Sequence, residues 1–197
     1  MHITDIINKG RPSFSFEFFP PKSERASESL FETIKDLESL APSYVSITYG
    51  AGGTTRERTH DLVEKILETT SLTPIPHLTC VQHTEEEISN ILKRYSDKGV
   101  SNILALRGDT PKGETQYNRS NDSFYFARDL VEFISAFNTS TLGKESKSFG
   151  IGVAGFPEGH PETPNRIKEM DHLKAKVDSG ADYICTQLFF DNHDFFD

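Results

Sequence analysis

Residues Ile75–Asp109 read IPHLTCVQHTEEEISNILKRYSDKGVSNILALRGD, and the fold is decided here. Ile75–Cys80 is a short, largely apolar run that reads as a strand. Thr84-x-x-Glu87 has the form of a capping box, in which the threonine and the glutamate each satisfy the other's orphan backbone N–H at a helix start. Ile88, Ile91, Leu92 and Tyr95 then recur at helical spacing, as one apolar stripe. Gly99 stands where a left-handed residue ends a helix. Asn102–Leu106 is a second apolar run, closed by the polar Arg107-Gly108-Asp109. Strand, helix and strand in so few residues force the two strands to run parallel, because the helix carries the chain back to its starting end.

Outward from this unit the pattern repeats. Apolar runs occur at Ser13–Phe19, Tyr44–Tyr49, Ile75–Cys80, Asn102–Leu106, Phe149–Phe156 and Tyr183–Phe190, with starts 27 to 47 residues apart. Thr54-x-x-Glu57 reads as another capping box, and Thr163-Pro164 as an N-cap followed by proline at the first helical position. Helical stripes are expected from near Ser27 (Leu30, Ile34, Leu37), from near Ser123 (Leu130, Ile134, Phe137) and along Ile167, Met170, Leu173 and Val177. Gly180 closes the last. Pro111–Asn121 and Asn138–Ser148 are polar and read as loops.

Alternating β and α units make a parallel sheet flanked by helices. No G-x-G-x-x-G follows a strand, so the dinucleotide-binding open sheet lacks its fingerprint. Polar residues gather instead at strand C-termini: Glu17, Thr48, His77, Arg107, Asp109, His160 and Gln187. That is the active face of a (β/α)8 TIM-type barrel, which needs eight units and about 250 residues. With 197 residues and about six units, the expectation is one domain over residues 1–197, a barrel without its C-terminal units.

Composition narrows the function. Lys plus Arg number 21 against 30 Asp plus Glu, a net charge of −9. This argues against a general nucleic-acid binder, which must neutralise phosphates. The N-terminus lacks the apolar core of a secretory signal and no run is long enough to span a membrane, so a cytoplasmic protein is expected. Cys80 and Cys185 each lie in an apolar run and read as buried thiols in a reducing compartment.

Several residues are candidates for chemistry. Glu17 lies among aromatics in Ser-Phe-Glu-Phe-Phe-Pro-Pro. Either it ends a strand facing water, or desolvation raises its pKa and makes it a general acid. Arg107-Gly108-Asp109 forms a surface ion pair in a turn, or grips the edge of a heteroaromatic ring. His77 is read first as a satisfied buried histidine. A metal site of His77, Cys80 and His160 matches no zinc spacing. Phe156-Pro157-Glu158-Gly159-His160-Pro161 is a rigid loop carrying a histidine. Glu169, His172 and Lys176 share a helix face that is either solvated or turned to the ribose and phosphates of a nucleotide. Gln187 interrupts an apolar run, so a buried amide there pairs with backbone or reads a ligand.

In order and spacing, Ser-Phe-Glu-Phe-Phe-Pro-Pro-Lys, Ser-Ile-Thr-Tyr-Gly-Ala-Gly-Gly, Pro-His-Leu-Thr-Cys, Leu-Arg-Gly-Asp, Pro-Glu-Gly-His-Pro-Glu and Thr-Gln-Leu-Phe-Phe-Asp resemble the methylenetetrahydrofolate reductases, from about Arg11 to Asp197. The resemblance implies a TIM barrel with FAD at the strand C-termini. It implies that NADH or NADPH reduces FAD and that 5,10-methylenetetrahydrofolate then receives the hydride, giving 5-methyltetrahydrofolate. By the family pattern Glu17 is the general acid and Asp109 a second catalytic residue beside flavin and pterin. Thr48, Tyr49, His77, Arg107, Gly108, Asp109, Ala127, Phe156, His160, Glu169, His172 and Lys176 fall on the FAD pocket, and Gln187, Asp109 and Thr48 on the substrate. No metal, nucleic acid or membrane partner is implied, and the complete family enzyme is expected as a homo-oligomer. Phe156 replaces a tyrosine of some relatives, and Glu169 an aspartate. The alternative is a non-catalytic truncated fragment acting, if at all, through association with other subunits.

Overall fold

The computed structural model describes residues 1–10, 12–50, 53–111, 117–118, 122–142, 148–163 and 165–196. In chain order the elements are α1 (Ile3–Ile7), β1 (Ser15–Phe18), α2 (Glu24–Glu38), β2 (Tyr44–Ile47), α3 (Gly53–Thr69), β3 (Pro74–Thr79), α4 (Glu85–Lys98), β4 (Asn102–Leu106), α5 (Ala127–Phe137), β5 (Gly150–Gly155), α6 (Arg166–Asp178), β6 (Tyr183–Thr186) and α7 (Asn192–Phe196). All six strands are parallel and lie in sequence order in one sheet. The sheet curls into a half-barrel. Six units are present as expected; eight are not.

Strand alternation sorts the side chains into two cores. The outer faces of β1–β5 send Phe18, Val45, Ile47, Leu78, Ile103, Ala105, Ile151 and Val153 against the helices, where they meet Ile34, Val63, Ile66, Leu92, Ile134 and others. The inner faces converge on a smaller cluster of Ile75 and Leu104, with Tyr44, Leu106 and Tyr183 packed on it. Contact between Tyr44 on β2 and Tyr183 on β6 through this cluster requires the curl. Gly152 makes room for it, since a Cβ there would lie 2.3 Å from the Tyr183 ring.

The inner core is closed from below by α1, which the sequence reading did not anticipate. Ile3 and Ile6 insert into it. The fully buried Asn102 holds the plug by its carboxamide, accepting from the Ile3 N–H at 2.6 Å and donating to the Met1 carbonyl at 2.8 Å.

Helix punctuation is confirmed in α4. The Thr84 hydroxyl accepts from the Glu87 N–H at 3.2 Å while Glu87 accepts from the Thr84 N–H at 2.7 Å, and Gly99 ends the helix at φ 83°. Elsewhere the boundaries move. The N-cap of α2 is Ser23, ahead of Ser27. The N-cap of α6 is Asn165, two residues past Thr163, because the Asn165 side chain reaches the Lys168 N–H. Thr163 instead closes a tight bridge with His160. The expected loop after α5 starts as a π-helical turn over Asn138–Leu142. The Thr54 side chain, Pro164, 112–116, 119–121 and 143–147 lie outside the described residues, so the readings placed on them stand apart.

The stripe assigned to α6 is reversed. Ile167, Met170 and Val177 are exposed at 75%, 61% and 43%, whereas Glu169 and Lys176 are each 8% exposed. Only Leu173 of the expected stripe is half-buried. The helix turns its polar face inward because a cavity at the strand ends, rather than apolar side chains, lies beneath it. Cys185 corrects another expectation. It is exposed, being on the edge strand β6, while Cys80 is buried.

Candidate functional site

A cavity of about 1220 Å³ lies at the C-terminal ends of β3–β6. Ligand pockets commonly span roughly 300–1,000 Å³, so this one has room for a dinucleotide-sized molecule. Its wall gathers Tyr49, Arg107, Gly108 and Asp109 from the strand ends and Ala127 from the start of α5. Phe156 and His160 come from the loop after β5, Glu169, His172 and Lys176 from α6, and Gln187 from just past β6. Residues scattered over 139 positions in sequence thus meet on one surface, because parallel strands place all their C-terminal ends on the same side.

The local geometry is built for close approach. Gly108 adopts φ 80°, and a Cβ there would lie 2.9 Å from the Thr79 Cβ and 3.1 Å from the Val81 Cγ2. Glycine is therefore required both by conformation and by space. Arg107 pairs with Glu162 across the mouth, so the ion-pair reading of this residue holds on the cavity wall itself. Phe156 and His160 meet edge to face at 4.7 Å, and His160 Nδ1 accepts from the Glu162 N–H at 3.0 Å. Gly159, at φ 89°, makes this turn.

The α6 face is buried rather than solvated. Lys176 donates from Nζ to the Ala154 carbonyl at 2.7 Å, and burial pushes its pKa down. A buried ammonium with one carbonyl partner retains unused donors, which suits an anionic or hydroxyl-rich ligand. His172 stacks on Phe126 at 5.3 Å. Phe126 also lines the cavity and was missed from sequence; its one signal is its place before Asp129, whose carboxylate accepts its N–H at 2.7 Å and starts α5. Gln187 is exposed and lies one residue past β6, so the argument from a buried amide fails, although its backbone N–H donates to Gly155 and its place on the wall holds.

Glu17, Thr48 and His77 are not on this wall. Glu17 points to the inner face of the half-barrel. Its side chain is 50% exposed, which corrects the expectation of desolvation. Alternation along β1 sends Phe16 and Phe18 to the opposite, helix-covered face, and Phe14 and Phe19 are themselves exposed. The Ser46 hydroxyl donates to Glu17 Oε2 at 3.3 Å, and His77 Nε2 stands 3.5 Å from the same oxygen. His77 is 7% exposed, and burial pushes its pKa down to about 4. The Thr48 carbonyl accepts from the Thr59 hydroxyl at 3.1 Å, which ties the end of β2 to α3.

Behind the cavity wall runs a buried polar cluster that sequence reasoning did not find. The Tyr49 hydroxyl meets His83 Nε2 at 3.0 Å, and His60 Nδ1 meets the Tyr95 hydroxyl at 2.7 Å. The Tyr49 ring contacts both imidazoles. Burial raises the Tyr49 pKa and pushes His83 down to about 4, so both stay neutral. Among the described residues no group of His, Cys, Asp and Glu is placed to hold a metal, and no helix is long and apolar enough to cross a membrane.

The sequence profile of the family described as Methylenetetrahydrofolate reductase matches residues 2–197. The chain belongs to this family. It is 41% identical over 183 residues to the 5,10-methylenetetrahydrofolate reductase of Escherichia coli, covering 93% of this chain and 57% of that protein. To methylenetetrahydrofolate reductase (NADH) 1 of Arabidopsis thaliana it is 39% identical over 198 residues, covering 96% of this chain and 32% of that one. The chain thus spans 57% of the length of the first of these relatives and 32% of the second. Among solved structures it superposes on an uncharacterized Clostridium thermocellum protein, described as binding two copies of 5-methyl-5,6,7,8-tetrahydrofolic acid. The TM-score is 0.63 at 13% identity, over all of this chain and 62% of that one. A phosphonopyruvate hydrolase gives 0.60 at 12% identity, over 95% and 63%. At such identities the likeness is one of fold.

Proposed function

We propose that this chain binds FAD in the cavity and contributes to the reduction of 5,10-methylenetetrahydrofolate to 5-methyltetrahydrofolate, with NADH or NADPH as reductant. The observation that carries the reading is that ten of the twelve positions assigned to FAD by the family pattern line one cavity, Thr48 and His77 lying off it. The wall also fits the cofactor. Buried Lys176 and Glu169 offer a cation and an acceptor for phosphate and ribose, the Phe126–His172 pair offers an aromatic surface, and Gly108 lets a planar ring approach the backbone.

When bound, FAD supplies the hydride chemistry. The chain's own residues bind, orient and protonate. Lys176 and Arg107 neutralise phosphate charge, and Glu169 accepts from hydroxyls as the commoner aspartate does. Phe156 contributes ring contact without the hydroxyl of a tyrosine. Asp109 faces the cavity from the end of β4, where a carboxylate orients the pterin's donors. Gln187 and Thr48 hold the substrate. Glu17 donates the proton that the departing folate nitrogen needs, so the methylene carbon becomes electrophilic. The reading places the protein in the cytoplasm and in a homo-oligomer.

A second reading has one observation in its favour. Ile167, Met170, Leu188, Phe190 and Phe196 form exposed apolar surface beside the open edge of the sheet, as expected of a non-catalytic fragment that associates with other subunits. Visible absorption of the purified chain, after FAD is added and the sample desalted, separates the two. Flavin bands near one per chain support the reductase reading. A colourless protein overturns it for this chain.

A further inference from the structure

His77 is drawn toward Glu17 rather than toward the cavity. Its Nε2 is buried, makes no hydrogen bond among the described residues, and points at Glu17 Oε2 from 3.5 Å. A buried ring nitrogen without a partner costs free energy, so its placement calls for an explanation. The second grip on the same oxygen is the Ser46 hydroxyl at 3.3 Å. Oε1 has no partner among the described residues. One donor and one unpartnered ring nitrogen, from two neighbouring strands, thus converge on one carboxylate oxygen, and the other is left open.

We propose that His77 is the positioning residue of Glu17, donating from Nε2 to Oε2 beside Ser46, so that Oε1 alone carries the proton passed to the folate nitrogen. The proposal rests on the reading of Glu17 as proton donor. In the step, the Oε1–H bond breaks and an N–H bond forms on the folate amine. The electron pair stays on the carboxylate, and the charge that spreads to Oε2 is met by both donors. His77 serves as a fixed dipole because burial holds it neutral, with a pKa of about 4, through the neutral range. Separations of this length commonly tighten only when substrate binds. The groups facing the carboxylate are Ser46 from β2, His77 from β3 and the Cys185 thiol from β6. Although the residue is exposed, desolvation of its sulfur by the surrounding strands first, and the Glu17 charge second, push that thiol's pKa up.

The test is a carbon-13 carboxyl titration of Glu17 in the full chain, assigned with Glu17→Gln. His77→Leu removes a donor to the charged form, so the Glu17 pKa rises by about one unit, a tenfold change in proton affinity. His77→Gln keeps an N–H donor at similar reach and restores most of the shift. An unchanged titration in His77→Leu overturns the proposal. Should that variant fail to fold, the nitrogen-15 spectrum of wild-type His77 decides: the Nε2–H tautomer supports it and the Nδ1–H tautomer overturns it. Folate turnover by Glu17→Gln addresses the acid reading separately. Unimpaired turnover beside a shifted titration would leave the pairing standing and remove its catalytic purpose. Where turnover depends on Glu17, His77→Leu moves the alkaline limb of the pH–rate profile upward with the titration, which a merely structural histidine would not do.

Discussion

The two ends of the half-barrel are made of the same strands and have opposite characters. At the N-terminal end the interior is dry, plugged by Ile3 and Ile6 and pinned by Asn102. At the C-terminal end it opens into a cavity whose wall holds Arg107, Glu169 and Lys176. The lower end carries stability and the upper end the proposed chemistry, because a parallel sheet allots one end of every strand to each task.

Substitutions at either end should therefore separate binding from stability, and the largest effect belongs to the upper end. Glu17→Gln is expected to lower folate reduction by about 10²–10⁴-fold with an unchanged urea midpoint. Steady-state assay beside denaturation checks both, and a variant that loses activity only by unfolding would break the division. At the lower end, Ile6→Ala should cost about 2–5 kcal/mol, read from urea unfolding, with FAD affinity preserved in the folded fraction.

Acidification probes the buried histidines. His77 and His83 have pKa values lowered to about 4 in the folded chain, against about 6.5 unfolded. Below pH 6.5 the unfolded chain binds more protons, so stability is complete above that pH and falls as pH drops toward about 4, by roughly 1.4 kcal/mol per unit for each histidine. Unfolding midpoints across pH 4–7.5 measure the slope, and His83→Phe should reduce it. The smallest effect expected is from Lys176→Met, which weakens FAD retention about tenfold (~1.4 kcal/mol) while leaving the urea midpoint little changed, because methionine keeps the buried stem and removes a desolvated charge. Equal losses in both would mean that Lys176 belongs to the scaffold.

Much of this division was legible in the sequence. The six strands announce themselves because β-branched and aromatic runs recur at βα spacing, and the polar residues ending them mark the upper face. The α4 capping box is local chemistry, so Thr84 and Glu87 could be read directly. What was misread depends on distant neighbours. Ile167, Met170 and Val177 carry the periodicity of a core stripe, yet their helix lies over a cavity and turns them outward. Phe16 and Phe18 flank Glu17 in sequence but point to the other face of β1, and Phe14 and Phe19 are exposed. The plug in α1 was invisible because five residues of helix give no periodicity, and the Asn102 that holds it signals only through burial.

The carboxamide of Asn102 joins residues 99 and 101 positions away in sequence. Chains emerge from the ribosome N-terminus first, at about 5–20 residues per second. Ile3 therefore waits roughly 5–20 s for the strand that will hold it. The floor of the barrel is made first and laid only after the fourth strand appears, so the nascent chain must keep Ile3 and Ile6 out of wrong partnerships while four of the six strands emerge. Seating of α1 is thus a late checkpoint in biogenesis, set by the distance along the chain between the plug and the strand that holds it.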